Sequence, residues 1–206
     1  MSKYTTSYVH GTSATPLLGD TVGVHFDKVA ARWAERDAVI VCHQNIRWSY
    51  ADLKKQVDAM AAGFLALGLE PGDRIGIWSP NNAEWVVTQY ATAKAGLVQV
   101  NINPAYRLSE VEYVLNKVEC KALVAAESFK TSDYMGMIRA LAPEVEISDP
   151  GELTSRRLPH LKTLIRIGQN NIRGWYNFED IPGMASDSHH KQIEDFAKSL
   201  QFDDPI

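Results

Sequence analysis

The chain is short of the residues and patterns that announce the commonest chemistries. Among 206 residues there are two cysteines, Cys42 and Cys120, and no CxxC pair. Cys42 ends one apolar stretch and Cys120 precedes another, so both read as buried reduced thiols rather than a disulfide or a metal site. No apolar run approaches the roughly 20 residues that a membrane-spanning helix needs. The P-loop pattern, G-x-G-x-x-G and G-x-S-x-G are all absent. Gly72 precedes a strand and Gly76 lies inside one, so neither opens a helix in a phosphate cradle. Basic charge is not in excess: 21 Lys and Arg face 25 Asp and Glu, a net charge of -4 with a pI near 5.9. That balance argues against nucleic acid or an anionic membrane as the main partner. Met1 to Thr15 is polar, with one Lys, no Arg and no apolar core. It resembles neither a secretory signal nor a transit peptide, and a cytoplasmic protein is expected.

What is present is enough apolar material, 45% of the chain, for one compact domain with a sizeable core. The clearest pattern runs from Gly72 to Ala126. Arg74 to Trp78 reads as a buried strand, stopped by Ser79-Pro80. A helix follows through Val86, Val87, Tyr90 and Ala91 to Gly96, capped by Asn81 or Asn82. A second apolar strand, Leu97 to Ile102, comes next. A helix from about Ser109 to Val118 and a strand from Lys121 to Ala126 complete a second unit. The expected fold class is therefore α/β: a layered sheet with parallel βαβ units, right-handed crossovers and flanking helices.

The rest of the chain is read as packing around that sheet. Residues 1–19 form a polar arm, and 20–206 form one domain. Asp20 is expected to cap a helix carrying Val22, Phe26, Val29, Ala30 and Trp33. Asp37 to Cys42 and Ile46 to Tyr50 make a hairpin about His43-Gln44-Asn45. Ser49 with Asp52 caps the next helix, whose stripe is Leu53, Val57, Met60, Ala61, Phe64 and Leu65, and Gly68 ends it. Ser109 with Glu112 is expected to form a capping box for the helix that follows the second strand. Thr131 to Leu141 reads as helix, 142–160 as loop, Leu161 to Ile167 as strand and 168–183 as irregular. Ser188 to Leu200 reads as helix.

Three places hold residues that could carry chemistry. The turn Ser79-Pro80-Asn81-Asn82 lies where a strand's carboxyl end meets a helix N-terminus, the usual ligand crevice of open α/β sheets. The same residues are also ordinary helix caps. Tyr106 and Arg107 follow the next strand, where Arg107 could meet a phosphate or carboxylate or serve as an intramolecular partner. His190 and Glu194 are four apart on one helix face, beside Asp187 and His189, which is metal-ligand spacing in a polar and exposed setting. The five tryptophans read as core and rim anchors. No Ser, His and acid fall together as a triad. Spacing alone gives no active site.

Several stretches together resemble one family. They are Trp48-Ser49-Tyr50-Ala51-Asp52-Leu53; Leu67-Gly68-Leu69-Glu70-Pro71-Gly72-Asp73-Arg74; Ala91-Thr92-Ala93-Lys94-Ala95-Gly96; and Asn103-Pro104-Ala105-Tyr106-Arg107. In order and spacing they are similar to the N-terminal part of the AMP-forming acyl-CoA synthetases. Cys120-Lys121-Ala122-Leu123-Val124 and the ending Asp204-Pro205-Ile206 point within them to the medium-chain fatty acid CoA ligases. The resemblance implies ATP, Mg²⁺ and CoA for the parent enzyme, with a fatty acid as substrate. There a carboxylate oxygen attacks the α-phosphorus of ATP, expelling pyrophosphate, and the CoA thiol then displaces AMP from the acyl carbon. The family's Thr/Ser/Gly-rich phosphate loop, Thr-Glu motif, hinge and catalytic Lys would lie beyond Ile206. The resemblance therefore carries no catalytic, cofactor-binding or metal-binding residue onto this chain, and an inactive fragment is expected, with an exposed apolar surface through which it could form a homo-oligomer. Two other readings stay open: a free-standing module that binds a small anion in the Ser79 to Asn82 crevice, and a structural or interaction module.

Overall fold

The computed structural model describes residue 11 and residues 13–206. Of the expected arm, residues 1–10 and 12 lie outside the described residues. Gly11 and residues 13–19 take no helix or strand.

The first helix, α1 (Val22–Arg32), is capped by Thr21, whose Oγ1 accepts from Val24 N at 3.2 Å. The expected cap, Asp20, instead takes the Lys28 ammonium at 2.6 Å. Thr21 sits one residue nearer the first turn and reaches its free N–H. Strands β1 (Asp37–Val41) and β2 (Ile46–Ser49) form an antiparallel hairpin of their own. Ser49 and Asp52 make the expected capping box at the start of α2 (Tyr50–Ala66). Cys42, expected to be buried, is exposed in the turn of that hairpin, while Cys120 is buried.

The main sheet has five parallel strands in the order β4-β3-β5-β8-β9. They are β3 (Arg74–Trp78), β4 (Val98–Asn101), β5 (Ala122–Ala126), β8 (Thr163–Ile167) and β9 (Tyr176–Asn177). Helix α3 (Ala83–Ala95) joins β3 to β4 and α4 (Leu108–Lys117) joins β4 to β5. The expected βαβ units and their common sheet are therefore present. A small hairpin follows β5, β6 (Ser128–Phe129) with β7 (Ser132–Asp133), and leads into α5 (Tyr134–Leu141). That helix is shorter than expected, because 128–133 pair with each other instead. Within 168–183, read as irregular, lies the edge strand β9. The last helix is α6 (Asp187–Ser199).

Strand residues alternate between two faces, as the pleat requires. Ile75, Ile77, Ala122, Val124 and Ile165 join α1, α2, α3 and α6 in one apolar cluster. Trp78, Leu123, Ala125 and Leu164 join α4 and α5 in the other. Burying each large side chain contributes about 1.5–3 kcal/mol, and the two clusters make a helix–sheet–helix sandwich. Gly76 explains itself here: a Cβ would stand 3.0 Å from Ile102 Cδ1 and 3.1 Å from Leu123 Cδ1.

Strand order decides where a ligand crevice can lie. The chain leaves β3 toward β4 over one face, then returns past β3 to β5 over the other. From β5 it continues away toward β8. The carboxyl ends of β3 and β5 thus flank the point where the sheet's winding reverses.

Candidate functional site

Ser79-Pro80-Asn81-Asn82 stands at the carboxyl end of β3, on one side of that crevice. Asn82 caps α3, its Oδ1 accepting from Trp85 N at 2.9 Å. Its amide donates to Ser79 Oγ at 2.8 Å, and Ser79 Oγ donates to the Pro80 carbonyl at 2.9 Å. Both side chains are buried, whereas Asn81 is exposed. Gln44 reaches in from the β1–β2 turn, accepts from Ala83 N at 2.8 Å and donates to Glu84 Oε2 at 2.7 Å. The positive end of the helix is thus met by the protein's own oxygens and by a carboxylate in its first turn. A phosphate placed there would have to displace Gln44 and face the Glu84 charge. The α3 N-terminus does not fit the phosphates of ATP, and the capping role of Asn82 accounts for the turn.

The loop after β4 forms the next part of the rim. Trp78 and Tyr134 stack beneath it, ring centroids 3.8 Å apart, both fully buried. Trp78 Nε1 donates to the Asn103 carbonyl at 3.2 Å, and Tyr134 OH donates to the Pro104 carbonyl at 2.7 Å. Burial pushes the Tyr134 phenol up to about 12, so at neutral pH it remains a donor. Arg107 is the N-cap of α4, and its backbone N–H donates to Glu110 Oε2 at 3.0 Å. The expected Ser109–Glu112 box is not formed. The helix begins at Leu108, which moves the reciprocal position to Glu110 and frees Glu112 to pair with Arg157 at 2.5 Å. Arg107 Nη2 donates to Thr131 Oγ1 at 3.1 Å, and Tyr106 is exposed.

The third group lies far from this rim. His189 Nδ1 accepts from Ser186 N at 3.1 Å at the start of α6. His190 and Glu194 border a cleft of about 330 Å³ with Asp27, Lys54, Asp58 and Lys94. Among the described residues no three His, Cys, Asp or Glu side chains converge as metal ligands would.

Sequence reasoning missed two buried charges. Lys94, quoted only within a family-like run, is buried on α3 between Asp27 and Asp58. Arg166 is fully buried on β8, pairs with Glu127 and donates to Asn177 Oδ1 at 2.7 Å, while its Nε has no partner. Their signal was a charged residue inside an apolar run: Leu164-Ile165-Arg166-Ile167 in one case, Ala91-Thr92-Ala93-Lys94-Ala95 in the other.

Comparison with known proteins fixes the family. The family model described as AMP-binding enzyme matches residues 26–171, more than half of the chain. The medium-chain acyl-CoA ligase ACSF2, mitochondrial, of Danio rerio is 43% identical over 202 residues, covering 98% of this chain and 33% of that protein. The Bos taurus protein of that name is 47% identical over 203 residues, covering 97% and 32%. This chain therefore spans about a third of the length of the curated relatives it matches. Among solved structures, the anthranilate CoA ligase AuaEII in complex with anthranoyl-AMP superposes with a TM-score of 0.68 at 18% identity, over 82% of this chain and 29% of that one. The inhibitor-bound N-terminal domain of FACL13 from Mycobacterium tuberculosis gives 0.61 at 18% identity, over 91% and 37%. At such identities these two establish the fold. Model match, relatives and fold agree with the motif order read along the chain, which belongs to the AMP-binding enzyme family and matches the N-terminal region of its acyl-CoA ligases.

Proposed function

We propose that this chain is the supporting N-terminal part of a medium-chain fatty acid CoA ligase and does not adenylate a carboxylate by itself. In the parent, ATP with Mg²⁺ would activate the fatty acid as acyl-AMP, and CoA would take the acyl group as a thioester. The first step needs phosphate charge to be met by a cation, Lys and backbone N–H groups aimed at the transferring phosphorus.

One observation carries the reading. The helix N-terminus at the sheet's reversal point, the natural phosphate seat of an open α/β sheet, is occupied by Gln44 and Asn82 and flanked by Glu84. The same observation weighs against a free-standing module that binds anions in the Ser79 to Asn82 crevice. What the chain offers is a rigid sheet and two packed helical layers on which further elements can rest. An apolar surface is open around α1: Leu17 and Leu18 are 92% and 70% exposed, beside a cleft of about 390 Å³ lined by Val22, Phe26, Tyr50 and Tyr90. Such a patch fits a surface that further chain or another molecule covers.

The test is ATP–pyrophosphate exchange by the purified chain with octanoate. No exchange above the protein-free rate is expected, and turnover by the chain alone would overturn the proposal.

A further inference from the structure

We infer that the free edge of β4 is a docking strand for a second copy of this chain, paired antiparallel about Val100. Such pairing is independent of whether the chain takes part in adenylation.

Strand β4 ends the main sheet on its side and pairs only with β3. Val98 N donates to the Asp73 carbonyl and Ile102 N to the Ile77 carbonyl. Backbone groups alternate along a strand. Val98, Val100 and Ile102 therefore face β3, and Gln99 and Asn101 aim their N–H and C=O groups outward. Among the described residues, no backbone group pairs with those outward groups. Val98, Gln99 and Val100 are half-buried and Asn101 is exposed.

The other strand edges are blunted. Strand β9 is two residues long and runs at once into the short helix Phe178–Met184. In the β1–β2 hairpin the register shifts between Asp37 and Val39, and Asp37 and Arg47 carry charge there. Short strands, bulges and charged side chains keep edges from pairing with other chains. Val98-Gln99-Val100-Asn101 has no charge and no Pro, and its register with β3 is unbroken.

The outward groups fit their own two-fold copy in one register. Centred on Val100, it sets Gln99 opposite Asn101 of the second copy, and Asn101 opposite its Gln99. Facing residues of this kind exchange both N–H···O=C bonds, so every outward donor and acceptor of the two residues is used. A register centred on Gln99 would bring Asn101 opposite Leu97, whose N–H is already given to the Thr92 carbonyl at 2.9 Å. One centred on Asn101 would bring Gln99 opposite Asn103, whose carbonyl already accepts from Trp78 Nε1 and Tyr106 N. About Val100, that residue meets its own copy as a β-branched pair beside the second apolar cluster. Gln99 Nε2 donates to Gln89 Oε1 at 2.9 Å and to Asn101 Oδ1 at 2.7 Å, which fixes both edge side chains to each other and to α3. A strand held in place beforehand loses less on pairing.

The test is sedimentation equilibrium of the whole chain from about 10 µM to about 1 mM, with amide hydrogen exchange at both ends of that range. A dimer is expected at the upper end, with exchange of the Gln99 and Asn101 amides slowed at least about tenfold as it fills. Gln99→Pro removes an outward N–H and leaves the ladder to β3 whole, a place where an edge strand tolerates proline. It should weaken the dimer about tenfold. Asn101→Lys puts an edge charge at an exposed position and should also weaken it, so a folding failure in one variant leaves the other. A monomer throughout would overturn the inference, as would wild-type dimerisation in both variants. So would a dimer whose Gln99 and Asn101 amides exchange as fast as at low concentration, which would place the contact elsewhere, such as the apolar surface around α1. Protection of both amides in a monomer would also overturn it, because the chain itself would then cover the edge. ATP–pyrophosphate exchange is read separately, so none of these results decides the scaffold proposal.

Discussion

Lys94 on α3 holds its ammonium 2.7 Å from Asp27 Oδ1 on α1, with only 6% of its side chain exposed. It also donates to Asp58 on α2, and Lys54 bridges the same two carboxylates. Four charges thus tie three helices on one face of the sheet. Gly23 leaves the passage for the lysine stem: a Cβ there would stand 2.9 Å from Lys94 Cγ. Removing one partner of a fully buried pair costs about 3–5 kcal/mol. Asp27 and Asp58, however, are a third exposed and keep Lys54 as a partner, which cuts the cost to about 1–3 kcal/mol. Lys94→Met should therefore lower stability by about that amount in urea unfolding at pH 7. Asp27→Asn should cost less, since Asp27 is a third exposed and Asp58 remains. A loss below about 1 kcal/mol for Lys94→Met would mean that water, not the lysine, solvates the two carboxylates.

Gly63 sets the approach of α2 to the short helix that follows β9. A Cβ at this position would lie 2.6 Å from Ile181 Cγ2 and 2.8 Å from the Ile181 carbonyl oxygen. Alanine gains about 1 kcal/mol over glycine in helix propensity. Overpacking against backbone costs about 1–3 kcal/mol, and the carbonyl cannot rotate away as a side chain would. Gly63→Ala should be destabilising on balance, with a lowered thermal midpoint. Gly63→Ala combined with Ile181→Ala should remain destabilised, because the carbonyl clash survives the smaller side chain.

These two sites mark what could and could not be read along the chain. Local signals were legible. Ser49 with Asp52, Asn82 before α3, and Gly68 and Gly96 at positive φ all act within a few residues of themselves. So was the run from β3 to β5, whose strand–helix–strand periods change cleanly. The family was legible from motif order. The addition of β8 and β9 to the sheet was not, because a long irregular stretch separates β5 from β8 and β9 is two residues long. Lys94 and Arg166 were missed for one reason: a charge is buried only when its counter-charge arrives from a distant segment, 67 residues away for Lys94 and 39 for Arg166. The α4 cap shifted by two residues because Glu112 had a distant partner, Arg157.

Arg166 and Glu127 allow a sharper test of such a pair. Glu127 is half-exposed while Arg166 is fully buried, and Gly168 packs so closely that a Cβ would stand 2.7 Å from Glu127 Oε1. Glu127→Gln would leave the guanidinium buried beside Asn177 with no counter-charge and should cost about 3 kcal/mol. Arg166→Met removes the buried charge and its orphaned Nε together, so it should cost less. In the double variant the glutamine no longer faces a charge, and the summed single losses should exceed the double loss by more than 1 kcal/mol. Additive losses would show that the pair does not couple across the carboxyl ends of β5 and β8.

Alkaline unfolding should report two buried acids. Burial pushes the Cys120 thiol from 9.0 up to about 12 and the Tyr134 phenol from 10.0 up to about 12. Both groups are neutral when protonated. As pH rises, the unfolded chain therefore releases these protons first, and the folded chain holds them. The unfolded state binds fewer protons between pH 9 and 12, so stability falls with pH there. Each group contributes a slope of about 1.4 kcal/mol per pH unit, Cys120 from about pH 9 and Tyr134 from about pH 10. Below pH 9 neither contributes any slope. In urea unfolding followed from pH 8 to 11, Cys120→Ala should remove the part that begins near pH 9. Tyr134→Phe should remove the part that begins near pH 10. By leaving the Pro104 carbonyl without its donor, it should also lower stability by about 1–2 kcal/mol below pH 10, a deficit that shrinks above it as the wild type loses its own share. A thiol reagent at pH 8 gives an independent check: the native chain should react at the exposed Cys42 alone, and the urea-unfolded chain at both cysteines. Native reaction at Cys120 as fast as at Cys42 would mean that β5 opens far more readily than a fully buried central strand should.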